Sequence, residues 1–212
     1  GFPHACVGNP KFPPEKRWSW YLCLGNYMMH YGEPLIDYER PWDDPSLRPL
    51  QLRTWKNGED RYKEFVVPLR AVSGLQCPSS TWKTHTDGQP FTDYVGTAGI
   101  NPDAGLLPLT SKRAGAWSYT NRVTMDDITD GLSTTVIMME TGHENGCWLA
   151  GGPATVRGYD LPRPTIGVKG QFGGIHAGGA VTLFADGHVE FLADEMDPQA
   201  FSKLLTIAES EE

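Results

Sequence analysis

Residues able to do chemistry fall into three groups along the chain. The first is Asp126-Asp127-Ile128-Thr129-Asp130-Gly131, which sets three carboxylates within a short run. Asp at the first and fifth positions and Gly at the sixth fit a calcium loop, but Ile128 takes the third position and Ile137 the twelfth, so this is not an EF-hand. Two readings remain for Asp126, Asp127 and Asp130: a looser calcium site, or an acidic turn whose carboxylates cap backbone amides. The second group is His176, Asp186 and His188, which could supply nitrogen and oxygen ligands for zinc or a general base for hydrolysis. The competing reading gives Asp186 to a turn and has His176 hydrogen-bonded to nearby backbone, fixing the run Gly173-Gly174-Ile175-His176-Ala177-Gly178-Gly179. The third group is the cysteines Cys6, Cys23, Cys77 and Cys147, none in the short paired spacing of a zinc knuckle or a redox Cys-x-x-C. They fit one or two disulfides in an oxidising compartment, in any of three connectivities if both form, or four buried thiols packed as small apolar groups. No Gly-x-Ser-x-Gly elbow, His-Glu-x-x-His, phosphate-binding loop or dinucleotide fingerprint is present, so no catalytic constellation is expected.

These groups must be held by elements that the local pattern predicts. The apolar residues Trp20, Tyr21, Leu24, Tyr27, Met28 and Tyr31 recur at helical steps, predicting a helix over Trp18–Tyr31 that Gly32-Glu33-Pro34 stops. Pro41, Pro45 and Pro49 make Asp37–Leu50 an ordered loop pinned by Trp42. A short helix over Leu52–Val66 and a strand near Ala71–Gln76 both suit the weaker pattern that follows. Strands are predicted over Thr92–Gly99 and, directly after Asp130-Gly131, over Ser133–Glu140. A further strand over Cys147–Ala150 would follow the turn His143–Gly146. Ala180–Ala185 and His188–Leu192 flank Asp186-Gly187, the pair a type I′ hairpin turn prefers. That turn would pair Phe184 with Val189 and Thr182 with Phe191, so Phe184, Val189 and Phe191 would share one apolar face. Asp197-Pro198 then starts a terminal helix, with Asp197 as N-cap and Phe201, Leu204, Leu205 and Ala208 on its apolar side.

Composition narrows the function classes. The 212 residues include 24 Gly and 17 Pro, which is loop-rich, yet 39% hydrophobic residues with 7 Trp, 8 Tyr and 8 Phe support a packed core. The net charge of −8, without a concentrated basic face, argues against nucleic acid as a partner. No apolar run approaches the roughly 20 residues of a membrane helix. Trp18, Trp20, Tyr21, Tyr27, Tyr31, Tyr38, Trp42 and Trp55 crowd the first half. Such rings fill a core or subunit interface, or else form a platform for a sugar or peptide.

Several motifs occur together in order: Trp18-Ser-Trp20, Glu39-Arg-Pro-Trp-Asp-Asp-Pro45, Leu75-Gln-Cys-Pro-Ser79, Thr92-Asp-Tyr-Val-Gly-Thr-Ala-Gly99, Ile128-Thr-Asp-Gly-Leu-Ser-Thr-Thr-Val-Ile137 with Glu140, and His176 nine residues before Asp186-Gly187. Together they resemble a large planctomycete family of prepilin-like proteins of unknown function, and His176, Asp130, Gly131, Asp186 and Gly187 are its signature positions here. The resemblance implies an α+β, type IV pilin-like head: an antiparallel sheet with long ordered loops and short helices. It implies a hydrophobic N-terminal helix upstream of Gly1, which would anchor the precursor in the inner membrane and form a filament core. Residues 1–212 would then be a single extracytoplasmic head, aromatic and Pro-rich over 1–70 and β-rich over 71–212. The function implied is structural: a subunit of a cell-surface filament or secretion pseudopilus, partnered by copies of itself or by other pilin-like subunits. The family carries no established catalytic residues, so no enzyme activity and no cofactor are expected. The alternatives are an extracytoplasmic binding module for glycan, peptide or calcium, and a metal-dependent hydrolase.

Overall fold

The computed structural model describes residues 1–24, 36–47, 50–56, 59–65, 72–80, 91–143, 145–161 and 165–208. Its centre is a five-stranded sheet made of β5 (Tyr94–Ile100), β6 (Val136–Glu140), β7 (Val156–Tyr159), β8 (Gly179–Phe184) and β9 (Val189–Ala193), in the order β7-β5-β6-β8-β9. The fold is α+β as expected, with one departure: β7 runs parallel to β5, so the sheet is mixed rather than wholly antiparallel. Short strands β1 (Cys6–Val7) and β2 (Trp18–Ser19) pair with each other, as do β3 (Leu50–Lys56) and β4 (Glu59–Phe65).

Alternation along the strands sends side chains to two cores, one on each face of the sheet. Val95, Val136, Met139, Ala180, Phe184 and Leu192 face Phe201 and Leu205 of helix α1 (Pro198–Leu204) and its end, together with Tyr159, Ile166 and Phe172. Phe201 meets Tyr159 edge-on, with ring centroids 5.4 Å apart. On the other face, Ala98, Ile137 and Val156 meet Trp20, Tyr21, Trp117 and Trp148. Trp20 lies 4.5 Å from Trp117, and Trp117 Nε1 donates to the Ile137 carbonyl at 2.6 Å. The aromatic first half therefore supplies core: Trp18, Trp20 and Tyr21 are buried, and only Tyr38 among the described rings of that group is well exposed. The side chains of Tyr27, Tyr31 and Trp55 lie outside the described residues.

The predicted terminal helix forms, and Asp197 Oδ1 accepts from the amides of Gln199 and Ala200 at 2.9 and 3.0 Å. Strand β6 forms within its predicted segment, and β5 forms over Tyr94–Ile100, one residue past the predicted end at Gly99. Other expectations are corrected. Trp18–Tyr31 does not open as a helix: Trp18–Ser19 is a strand, Trp20–Leu24 a 3-10 turn, and the remainder lies outside the described residues. The reason is that Trp18, Trp20 and Tyr21 are all buried, in directions that no single helical face provides. The helix expected over Leu52–Val66 is replaced by the antiparallel pair β3–β4, with Lys56 paired to Glu59. Ser73–Leu75 is a 3-10 turn rather than a strand. Cys147 and Ala150 make isolated bridges, to Phe91 and Trp18, rather than a strand of their own.

The final hairpin forms in a register one residue away from the predicted one. Leu183 pairs with Val189 and Val181 with Phe191, because Gly187 N bonds to the Phe184 carbonyl and Phe184 N to the His188 carbonyl. The loop is thus Ala185-Asp186-Gly187, with Gly187 at φ 94° closing a type I turn as a bulge. A one-residue slip exchanges faces. Phe184 is buried, whereas Val189 and Phe191 are 63% and 48% exposed on the opposite face.

None of the four cysteines is joined in a disulfide. Each sits on a different segment with its own surroundings: Cys6 is buried beside Arg17, Cys77 turns towards His176, Cys147 is buried at its bridge to Phe91, and Cys23 is exposed. Among the described residues, no helix is long and apolar enough to cross a membrane.

Candidate functional site

Three chemically capable side chains from three separate segments converge at one end of the sheet. Cys77 follows the 3-10 turn Ser73–Leu75 and is held by Asp93, a buried residue just before β5, whose Oδ2 accepts from Cys77 N at 2.8 Å. The same short segment is tied back again by Asp93 N, which donates to the Leu75 carbonyl at 2.8 Å. Glu140 is the last residue of β6, paired across the ladder with Tyr94. Its carbonyl accepts from Gly173 N at 2.7 Å, which docks the Gly-rich run carrying His176 onto the strand end.

His176 Nε2 lies 3.4 Å from Cys77 Sγ and 3.2 Å from Glu140 Oε1. One donor atom from each of the three residues lies within 4.8 Å of the other two. The side chain of Glu140 is fully buried; its Oε2 accepts from Val181 N at 3.3 Å, while its Oε1 has no hydrogen-bond partner. His176 is 34% exposed and opens the cluster to solvent. Burying a carboxylate is costly unless it is paired, so Glu140 marks a position with a specific requirement.

The electrostatics weigh against one obvious chemistry. Burial raises the Cys77 pKa above the ordinary thiol value, and the neighbouring Glu140 carboxylate raises it further. A standing thiolate nucleophile needs the reverse, an electropositive neighbourhood. Tyr94 is pushed up to about 12, first by burial and then by the negative charge accumulating on Cys77, Glu140 and Asp93. The cluster therefore gathers sulfur, nitrogen and oxygen donors in surroundings that favour a cation.

The residues singled out from sequence are placed as follows. His176 is at the centre of the cluster, but its partners are Cys77 and Glu140 rather than neighbouring backbone, and Asp186 and His188 are not part of the group. Those two form a pair within the hairpin turn: Asp186 Oδ1 accepts from His188 N at 3.0 Å and lies 2.6 Å from His188 Nδ1. These contacts hold the Asp186 pKa below the usual carboxylate range. The set His176, Asp186 and His188 is therefore not assembled as a metal or hydrolytic site. In the acidic run, Asp127 Oδ2 accepts from both Thr124 N and Thr124 Oγ1, at 2.8 and 2.6 Å, which makes it a helix-turn cap with a lowered pKa. Asp126 is exposed, and the Asp130 carbonyl accepts from Thr134 Oγ1 at 2.6 Å. Gly131 adopts φ 101° in that turn. Cys77 and Glu140 were missed as partners of His176. Each does lie in or beside one of the resemblance motifs, Cys77 in Leu75–Ser79 and Glu140 after Ile128–Ile137, but no local pattern relates those motifs to the one that holds His176.

A family model described as "Protein of unknown function (DUF1559)" matches residues 1–159, a span that includes Cys77 and Glu140 and ends before His176. No curated protein and no solved structure matches the chain. With three quarters of its length under that model, the chain belongs to the DUF1559 family, whose function is unknown.

Proposed function

We propose that this protein is a structural subunit, the extracytoplasmic head of a pilin-like protein that assembles with copies of itself into a surface filament or secretion pseudopilus. The observation that carries this reading is the outer edge of the sheet. β9 has no strand neighbour on its far side among the described residues, so its backbone edge is open to another chain. The same strand turns Val189 and Phe191 outward at 63% and 48% exposure, beside the half-buried Val181 and Leu183 of β8. An open edge joined to an apolar face suits repeated contact between identical subunits. The order of the resemblance motifs and the α+β head agree with it. The extracytoplasmic placement and the anchor upstream of Gly1 rest on the resemblance alone.

Electron microscopy of the full native protein tests the reading. Helical or fibrous assemblies are expected for the natural sequence, and a Val189→Asp, Phe191→Asp double variant is expected to remain monomeric while keeping its fold. Dispersed monomers alone from the natural sequence, with no copurifying pilin-like subunits, would overturn it.

A further inference from the structure

We propose that Cys77 Sγ, Glu140 Oε1 and His176 Nε2 bind one zinc ion, leaving a fourth position open to water. This goes beyond the assembly reading and does not depend on it.

A tetrahedral zinc ion bound by sulfur at about 2.3 Å, nitrogen at about 2.0–2.1 Å and oxygen at about 2.0–2.2 Å sets its S···N ligands roughly 3.5 Å apart and its N···O ligands roughly 3.3 Å apart. The corresponding separations here are 3.4 Å and 3.2 Å. Two of the three donor separations therefore match edges of a coordination tetrahedron, and the third, between Cys77 Sγ and Glu140 Oε1, lies within 4.8 Å. Glu140 supplies the second observation: its Oε1 is buried, has no hydrogen-bond partner and lies against the other two donors. A metal bond would satisfy that atom, which otherwise meets the His176 ring at 3.2 Å without forming a hydrogen bond.

Charge and ligand type point to the same ion. One thiolate, one carboxylate and one neutral imidazole carry two negative charges, which a divalent cation balances. Calcium and magnesium take oxygen ligands, whereas a mixed sulfur, nitrogen and oxygen set suits zinc. Three protein ligands with solvent access past His176 leave room for an exchangeable fourth ligand. The outer shell is built as well. Asp93 fixes the backbone of Cys77, Val181 N binds the second oxygen of Glu140, and Gly173 N holds the strand end in place.

The structural consequence is a clip. The ion would join the Cys77 turn, the end of β6 and the Gly-rich run before β8, segments far apart in sequence, and so does the cross-linking that a disulfide was expected to do.

The test uses the purified chain after chelation, titrated with zinc and, in parallel, with cobalt(II) as a spectroscopic stand-in. Binding of one equivalent per chain is expected. Cobalt should give intense visible bands of a four-coordinate ion and a sulfur-to-metal charge-transfer band in the near ultraviolet. Cys77→Ser should abolish that band, and Glu140→Gln and His176→Gln should weaken zinc binding tenfold or more. Zinc at a hundredfold excess over its Kd should raise the Tm of the natural sequence by about 5–10 °C. If Cys77→Ser does not fold, the natural protein's cobalt spectrum and the His176→Gln titration decide the matter, since His176 is partly exposed and tolerates change. Failure to bind stoichiometrically, cobalt binding without the sulfur band, or unchanged affinity in His176→Gln would each overturn the proposal.

Discussion

Replacing Asp93 should destabilise the fold and dismantle the Cys77 cluster together, although Asp93 is not one of its three donors. Asp93 is 1% exposed, and its side chain accepts a 2.8 Å hydrogen bond from Cys77 N and longer ones, at 3.5 Å, from Ser80 Oγ and Asn145 Nδ2. A hydrogen bond to a charged acceptor contributes about 1.5–3 kcal/mol, and a buried donor left unsatisfied costs about 1–3 kcal/mol. One short bond, two weak ones and a stranded Cys77 amide put Asp93→Ala at roughly 3–5 kcal/mol of lost stability. For a chain of this size, that corresponds to a Tm lower by about 6–20 °C. Asp93→Asn keeps an acceptor for Cys77 N but turns an amide donor towards Asn145 or Ser80, so it should lose less, about 1–2 kcal/mol. Urea denaturation followed by tryptophan fluorescence measures both, since Trp20, Trp117 and Trp148 are buried and report on global unfolding. An Asp93→Ala variant within about 1 kcal/mol of the natural protein, or one no less stable than Asp93→Asn, would refute the view that Asp93 is what holds the Cys77 turn.

Further outcomes follow from single features of the fold. Asp197→Ala removes the acceptor of two amides at the start of α1 and should cost about 1 kcal/mol, read as a shifted urea midpoint with an unchanged slope. Gly99→Ala should prevent folding, judged by loss of near-ultraviolet circular dichroism. Gly99 has φ 111°, and an added Cβ would stand 2.0 Å from the Arg113 carbonyl oxygen and 2.6 Å from Gly115 N, both backbone atoms that cannot yield cheaply. Gly187→Ala meets nothing within 4 Å and carries only the φ penalty, so it should cost about 1–2 kcal/mol and still fold. Asp127 titrates below its unfolded value because Thr124 bonds its carboxylate, so its stabilisation is complete above about pH 4–5 and is lost as the pH falls through its folded value. Melting temperatures measured down the acid limb should therefore fall less steeply in Asp127→Asn than in the natural protein.

Local features were legible without the fold. The Asp197 cap and the Pro198 start of α1 depend on neighbours within three residues, and β5 and β6 lie where β-branched or small residues follow turn signals. The final hairpin was legible as a hairpin, but its register was not. Asp186-Gly187 permits either a two-residue or a three-residue loop. Contacts from elsewhere accompany the longer one: Ala185 N donates to the Thr135 carbonyl at 2.9 Å and Asp186 N to the Leu132 carbonyl at 3.2 Å. The helical spacing of Trp18–Tyr31 misled for a related reason. Periodicity assumes one buried face, whereas Trp18 meets β1 and the Arg40 carbonyl while Trp20 meets Trp117.

Composition and short-range pattern were enough for a loop-rich, acidic chain with apolar content for a core and a reversal before a capped terminal helix, because each depends on residue content or on residues within a turn of one another, while the α+β class followed from the resemblance. The fold sets which side of the sheet Val189 and Phe191 occupy, since one residue of register exchanges the faces. It also decided that His176 belongs with Cys77 and Glu140 instead of with Asp186 and His188. Cys77, Glu140 and His176 meet only because β5, β6 and the Gly-rich run are hydrogen-bonded side by side, and no spacing along the chain encodes which strand ends become neighbours.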